Sequence, residues 1–305
     1  MPHRYVHILI LAAVLSLGNG CSPRMIAVDA LGDMLASGDS VFTEDDDIEL
    51  IGEALPFSLK LVESLLAESP DHRGLLLAAA RGYVLYSYGY VHFAAEQAAL
   101  ENIRQARRLR IRARKFYLRG FDFAVRGLEV NHPGIGRSLL RTPERALSRL
   151  NGDAVNDVPF LYWGASALGL AISVSKNDPA MLARLPEVEA MLQRSLVLDE
   201  AYDRGALHEF ALVWAGVAPG APDGGVIDRH YQRALELSAG QRAGLYVAYA
   251  MVTAQPSQDR QQFHSLMQKA LAVDTDALPG TRLLNAIAQR RARWLLSRSD
   301  ELFLE

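Results

Sequence analysis

From about position 51 onward, apolar residues recur at spacings of three and four, and the runs are broken by clusters of Pro, Gly and Asp; strict apolar–polar alternation is scarce. A recurrence near 3.6 residues marks amphipathic helices, whereas half-buried strands need a period of two. The pattern predicts an all-α fold. Five predicted helix ends share a phrase, a small residue or Leu followed by Leu, two further residues and a polar terminator. It occurs at Leu65-Leu66-Ala67-Glu68-Ser69, Gly127-Leu128-Glu129-Val130-Asn131, Ser195-Leu196-Val197-Leu198-Asp199, Ala234-Leu235-Glu236-Leu237-Ser238 and Ala270-Leu271-Ala272-Val273-Asp274. The leucines at 66, 128, 196, 235 and 271 stand 62, 68, 39 and 36 residues apart. The last two intervals approach the 34-residue tetratricopeptide period, and the first two call for longer helices or inserted loops.

Helix pairs such as Gly205 to Gly216 with Ile227 to Leu237, and Gln241 to Ala254 with Arg260 to Val273, fit that reading. Neither member of a pair can bury its apolar stripe alone, so pairs stack into a curved array with a concave surface. Residues 51–305 are therefore read as a domain of tetratricopeptide-like helical-hairpin repeats, ended by a capping helix from Thr281 to Leu296.

The start of the chain follows a different pattern. His3, Arg4 and His7 precede or open an apolar run from Ile8 to Leu17, and Gly18-Asn19-Gly20-Cys21-Ser22-Pro23 follows. A positive region, about ten apolar residues and a small-residue cleavage site describe an export signal, and the run is too short for a membrane span of roughly 20 residues. Residues 1–20 are read as a signal peptide and 21–50 as a lipidated tether with a short first helix. Cys21 is the sole cysteine of 305 residues. Its place at the new N-terminus resembles the lipobox of bacterial lipoproteins, which implies a thioether-linked lipid that holds the protein on a membrane. That pattern usually carries Leu three residues before the cysteine, where this chain has Gly18. Ser22 rather than Asp after Cys21 points to the outer membrane under the sorting rule of some Gram-negative bacteria, with the body facing the periplasm.

Composition narrows the function classes. The formal net charge is −3, which gives no global attraction to nucleic acid. The eight histidines form no His-Glu-x-x-His pair and no His/Cys cluster, so no metal or cofactor is expected. His208-Glu209 and His230 read as ordinary polar or half-buried residues on helix faces. Gly164-Ala165-Ser166-Ala167-Leu168 lacks the final glycine and the preceding strand of a nucleophile elbow. Pro219 to Gly225 lacks the Lys-Ser/Thr of a phosphate loop, and the acids at 44–47 lack the glycine spacing of a calcium loop. The chain is not expected to be an enzyme.

Two features remain. Arg104 to Lys115 holds seven basic residues in twelve, mostly on one face, opposite Ala106, Leu109, Ala113, Phe116 and Tyr117; this is either a solvated helix face or a surface for lipid headgroups or an acidic partner. Aromatic residues gather at Tyr83, Tyr86, Tyr88, Tyr90 and Phe93, and again at Phe160, Tyr162 and Trp163. They form either core or the lining of a cleft or interface, with Tyr86, Tyr90, Phe160, Tyr162 and Trp163 as the candidates.

The lipobox-like start, the helix-end phrases, Phe123-Ala124-Val125-Arg126-Gly127-Leu128 and above all Asp157-Val158-Pro159-Phe160-Leu161-Tyr162-Trp163-Gly164-Ala165 resemble the T component associated with tripartite ATP-independent periplasmic (TRAP) transporters, the TatT lipoproteins. The resemblance implies a tetratricopeptide-like fold, a homotrimer, association with the periplasmic solute-binding protein, and a hydrophobic cleft or pore near Phe160, Tyr162 and Trp163 that holds or passes a hydrophobic or organic-acid ligand. It brings no catalytic residue. The rival reading is a general tetratricopeptide-type envelope scaffold without a transport role.

Overall fold

The computed structural model describes residues 30–33, 39–151, 156–217, 224–278 and 280–304. The predicted signal peptide, Gly18 and Cys21 lie outside the described residues. Helix α1 (Asp39–Thr43) is followed by α2 (Ile48–Glu68), α3 (Arg73–Tyr86), a π-helical turn (Ser87–His92), α4 (Phe93–Ala98) and the long α5 (Ile103–Asn131). Then come α6 (Ile135–Arg141), α7 (Pro143–Leu147), α8 (Val158–Ser173), α9 (Pro179–Leu182) and α10 (Leu185–Asp199). A 3-10 turn (Tyr202–Gly205) leads into α11 (Ala206–Val217), α12 (Gly224–Ser238), α13 (Ala243–Val252), α14 (Arg260–Leu271), α15 (Arg282–Leu296) and α16 (Ser299–Leu302). The fold is all-α, with no strand among the described residues, and no described helix is long and apolar enough to cross a membrane.

Local chemistry sets the helix ends. The Asp47 carboxylate accepts the Leu50 N–H at 2.9 Å, Asn102 accepts that of Gln105 at 3.0 Å, and Asp259 accepts that of Gln262 at 2.8 Å. Each satisfies one of the amide donors that a helix start leaves without an intrahelical partner. The acidic stretch before α2 is thus a turn and a cap, since Asp45 in turn accepts the Asp47 N–H at 2.8 Å. All five recurring phrases end a helix, namely α2, α5, α10, α12 and α14.

Packing runs from α2 to α3, α5, α8 and α10, then from α10 to α11, α11 to α13 and α13 to α15; α12 and α14 pair with α11 and α13 as hairpins. One core fills the space between α2 and α11, with Leu75, Leu76, Tyr117, Leu161, Leu168 and Met191 almost wholly buried. A second joins α11 to α16 around Leu245, Phe263 and Met267. The sequence predicts that α15 caps the curved array; it does cover α13 and α14, and it also packs back onto α1 and α2. There Ile48, Ile51 and Leu55 of α2 meet Leu283, Ala286 and Ile287 of α15 in a third core. The array closes on itself.

Closure depends on the π turn as well. Arg290 donates to the Gly89 carbonyl at 2.5 Å, Arg291 pairs with Glu96 at 2.5 Å, and Trp294 stands edge-on to Phe93 with ring centroids 5.3 Å apart. A π turn widens the helix by one residue and redirects the carbonyls of that turn; here it carries the Gly89 carbonyl that Arg290 reaches. Elsewhere one glycine decides a crossing. A Cβ on Gly127 would stand 2.0 Å from the Phe160 ring, so the approach of α5 to α8 demands its absence.

Two substitutions separate these contacts. Gly127→Ala inserts an atom into a filled core and is expected to destabilise the fold by about 1–3 kcal/mol, seen as a lower urea midpoint. Ile287→Ala opens the third core at a cost of about 2–5 kcal/mol, with faster amide exchange confined to α2, the π turn and α15.

Candidate functional site

Closure of the array leaves a cavity of about 290 Å³ between α1, α3, α8, the 3-10 turn and the approach to α15. Its walls are Leu85, Leu284 and Trp163 on the apolar side, and Thr43, Arg81, Tyr202 and Asp203 on the polar side, with Gly280 at the edge. The mixture of apolar surface with a few convergent polar groups is what a small-molecule site requires.

Each wall group has a structural cause. Arg81 interrupts the apolar run Leu75 to Tyr86 of α3 and is drawn into the body of the protein, where burial pulls its guanidinium down to about 10 against the attraction of Tyr202 and Asp203. A cation held in this way favours any arrangement that brings negative charge to it. Trp163 is 8% exposed and lies edge-on to Tyr162, at 5.0 Å between centroids. Tyr162 packs in turn on Tyr202 at 5.4 Å, and burial raises both phenols, with a hydrogen bond from Trp163 opposing this at Tyr202.

The turn that carries Tyr202 and Asp203 is strained. Asp203 (φ 43°), Arg204 (φ 51°) and Gly205 (φ 94°) are left-handed in succession. Only glycine adopts this region at little cost, and the two others forfeit roughly 1–2 kcal/mol each. Gly205 is further required because a Cβ there would stand 3.1 Å from Cα of Ala234. Arg242 holds the turn: it donates to the Asp203 carbonyl at 3.0 Å, pairs with the Asp203 carboxylate at 3.3 Å and with Glu209 at 2.8 Å, and is almost fully buried. Strained segments persist where surrounding contacts over-determine them, and such segments concentrate at ligand clamps.

The sequence candidates are distributed unevenly about this site. Trp163 lines the cavity, and Tyr162 supports it from behind through Tyr202. Phe160 is core, 3% exposed, seated against Gly127 with the Arg73 guanidinium 4.8 Å from its ring centroid. Tyr86 and Tyr90 belong to the seam between the two ends of the array. Their rings stack at 5.7 Å, and the Tyr90 hydroxyl donates to the Ile48 carbonyl at 2.8 Å. Arg81, Tyr202, Asp203 and Leu284 escape a reading by local pattern. Of these only Arg81 leaves a sequence signal, a lone cation inside an apolar helix.

No group of three or more potential metal ligands exists among the described residues. His208 and His230, read from sequence as separate polar residues, are bonded to each other through their Nδ1 atoms at 2.8 Å. Burial holds both imidazoles below their ordinary value, against Glu200 at His208 and reinforced by His208 at His230.

The architecture is thus an all-helical array whose two ends meet, with a cavity walled by aromatic, apolar and charged side chains. A family model described as "TRAP transporter T-component" matches residues 44–303, and the chain belongs to that family. It is similar, at 29% identity across all of both chains, to an uncharacterized protein of Treponema pallidum (strain Nichols). The family is that of an accessory transporter subunit.

Arg242→Met leaves Asp203 and Glu209 without their buried cation and is expected to cost about 3–5 kcal/mol, measured by chemical denaturation. The histidine pair gives a second expectation. Its folded values lie below the ordinary value near 6.5, so the unfolded chain takes up protons first as pH falls. Stability that is complete above about pH 6.5 is then lost toward lower pH. In His208→Gln/His230→Gln the denaturation midpoint should fall less between pH 7.5 and 5.5 than in the native chain.

Proposed function

We propose that this protein is a periplasm-facing lipoprotein, anchored through Cys21, that serves a TRAP transporter by docking its periplasmic solute-binding protein and holding or passing that transporter's ligand through the cavity lined by Arg81, Trp163 and Tyr202. The observation that carries this reading is the coincidence of the family match with a cavity built at the closure of the array. A repeat array presents extended surface for a protein partner. The cavity adds a place for a small molecule: Trp163, Leu85 and Leu284 suit an apolar body, and Arg81 suits a negatively charged end. Anchoring by lipid would keep the array near the membrane subunits of the transporter, and two or three acyl chains suffice for stable attachment. A homotrimer would place three such cavities side by side. A general envelope scaffold needs no such cavity, which is why the transport reading is preferred.

The test is direct. The lipidated chain, extracted in mild detergent, should form a stoichiometric complex with the purified solute-binding protein of its own transporter, and mass spectrometry of the mature N-terminus should show a diacylated or triacylated Cys21. Trp163→Ala should leave that complex intact while removing any small molecule retained by the native chain in non-denaturing mass spectrometry. A chain that captures envelope-assembly proteins and ignores the solute-binding protein would overturn the reading.

A further inference from the structure

The first turns of α5 carry a surface that the fold leaves unused. Between Ile103 and Phe121 stand eight basic residues and no acidic one. Ala106, Ala113 and Tyr117 are fully buried, so the opposite side of the helix faces solvent. At 100° per residue, Ile111, Arg104, Lys115 and Arg108 follow one another within about 60° of arc, with Arg107 and Ile103 alongside. Three other members of the basic run have partners. Arg114 meets Asp178 at 2.9 Å, Arg119 meets Glu63 at 2.5 Å, and Arg112 lies 5.3 Å from the Phe116 ring centroid. Arg104, Arg107, Arg108 and Lys115 are exposed and enter no ion pair among the described residues.

Aliphatic residues share this surface. Ile103 is 66% exposed, Ile111 51% and Leu100 49%. Such a surface works against the isolated fold twice over. Arg104 and Arg108, one turn apart, repel each other, and aliphatic side chains remain in water. A partner that brings carboxylates and a small apolar recess relieves both at once. Exposed aliphatics that become buried at the centre, surrounded by charged residues at the rim, are the common plan of a protein interface.

We propose that this tip of α5 is the docking face for a soluble protein partner whose matching surface is a cluster of carboxylates around an apolar recess that takes Ile103 and Ile111. The position of the tip favours a soluble protein over a lipid surface. Asp33, in the segment that leads back toward Cys21, pairs with His72 at 3.3 Å. At that same end of the α3–α5 pair Arg126 reaches the Pro70 carbonyl, whereas Ser87 reaches Ala113 at the other. Arg108 lies beyond Ala113, 18 residues and so about 27 Å of helix from Arg126. Asp33 and the basic tip therefore lie at opposite ends of the α3–α5 pair, and the anchor proposed above precedes Asp33 in the chain. The inference rests on the function proposed above in taking the partner to be the solute-binding protein.

Binding of the full chain to that protein should weaken about tenfold or more between 50 and 500 mM salt, because exposed charge pairs are screened. The triple variant Arg104→Glu/Arg108→Glu/Lys115→Glu should lose at least tenfold in affinity at low salt, Arg104→Lys/Arg108→Lys should retain it, and Ile111→Ser should weaken binding without changing the salt slope. All these side chains are exposed, and an unchanged circular dichroism melt confirms the fold. Native-like affinity of the triple variant would overturn the docking face while leaving the partner itself in place. Absence of binding by the native chain would overturn the partner and this inference with it. Loss, in the triple variant, of binding to phosphatidylglycerol vesicles or of self-association, with partner affinity unchanged, would assign the face to lipid or to a second copy and overturn the proposal.

Discussion

Burial of the two ends of the helical array against each other is the constraint on which the rest of the structure depends. A linear stack of amphipathic helices exposes an apolar stripe at its first and last members, and open repeat arrays meet this with terminal helices of polar outer face. Here α2 presents Ile48, Ile51 and Leu55, and α15 presents Leu283, Ala286 and Ile287, and each covers the other. The solution has a geometric consequence. Helices that must return to their starting point cannot all pack through one central core, and the space left beside α3 and α8 becomes the cavity. Site and stability thus share a cause.

The cavity wall shows how that cause reaches individual atoms. Tyr202 and Asp203 stand at the wall only because three successive residues take left-handed backbone, and that arrangement survives because Arg242 bonds the Asp203 carbonyl and carboxylate together. Arg242 opens α13, two helices downstream, and Glu209 of α11 completes its environment. The 3-10 turn is therefore set by contacts between the later hairpins, while Arg81 and Trp163 are set by the earlier ones. Neither half of the chain builds the cavity alone. Because a buried charge left unpaired is far more costly than a lost surface pair, this linkage also fixes the relative placement of the two larger cores.

Helix identity was legible in the chain because it rests on local periodicity, and so were five helix ends, which the recurring Leu phrases announce. The closure was not. The apolar stripe of α15 reads the same whether it faces a neighbouring hairpin or the distant α2, and the π turn that receives Arg290 has no sequence signature in Ser87 to His92. The aromatic candidates illustrate the same limit. Phe160, Tyr162 and Trp163 fall within four successive positions, and helical geometry points them in three directions: Phe160 toward Gly127 of α5, Tyr162 toward Tyr202, Trp163 into the cavity. Residues adjacent in a motif need not share a role. Arg81 and Asp203, 122 positions apart, meet at the cavity wall only through the tertiary fold.

The basic run divides on the same principle. Arg112, Arg114 and Arg119 are absorbed by neighbours that the fold supplies, and their charges serve packing and ion pairing within the body. Arg104, Arg107, Arg108 and Lys115 lie on the solvent side of the same helix, opposite the buried Ala106, Ala113 and Tyr117, and enter no ion pair among the described residues. A sequence window cannot distinguish the two groups, because their composition is identical. The fold separates them by which side of α5 it covers, so that one continuous helix buries Ala106, Ala113 and Tyr117 and presents uncompensated charge on its outer side. A surface of that kind raises encounter rates with an oppositely charged partner more than it raises the depth of the final complex. That suits a contact that must form and release repeatedly, and it allows the partner to be exchanged without disturbing the cavity that the closure maintains.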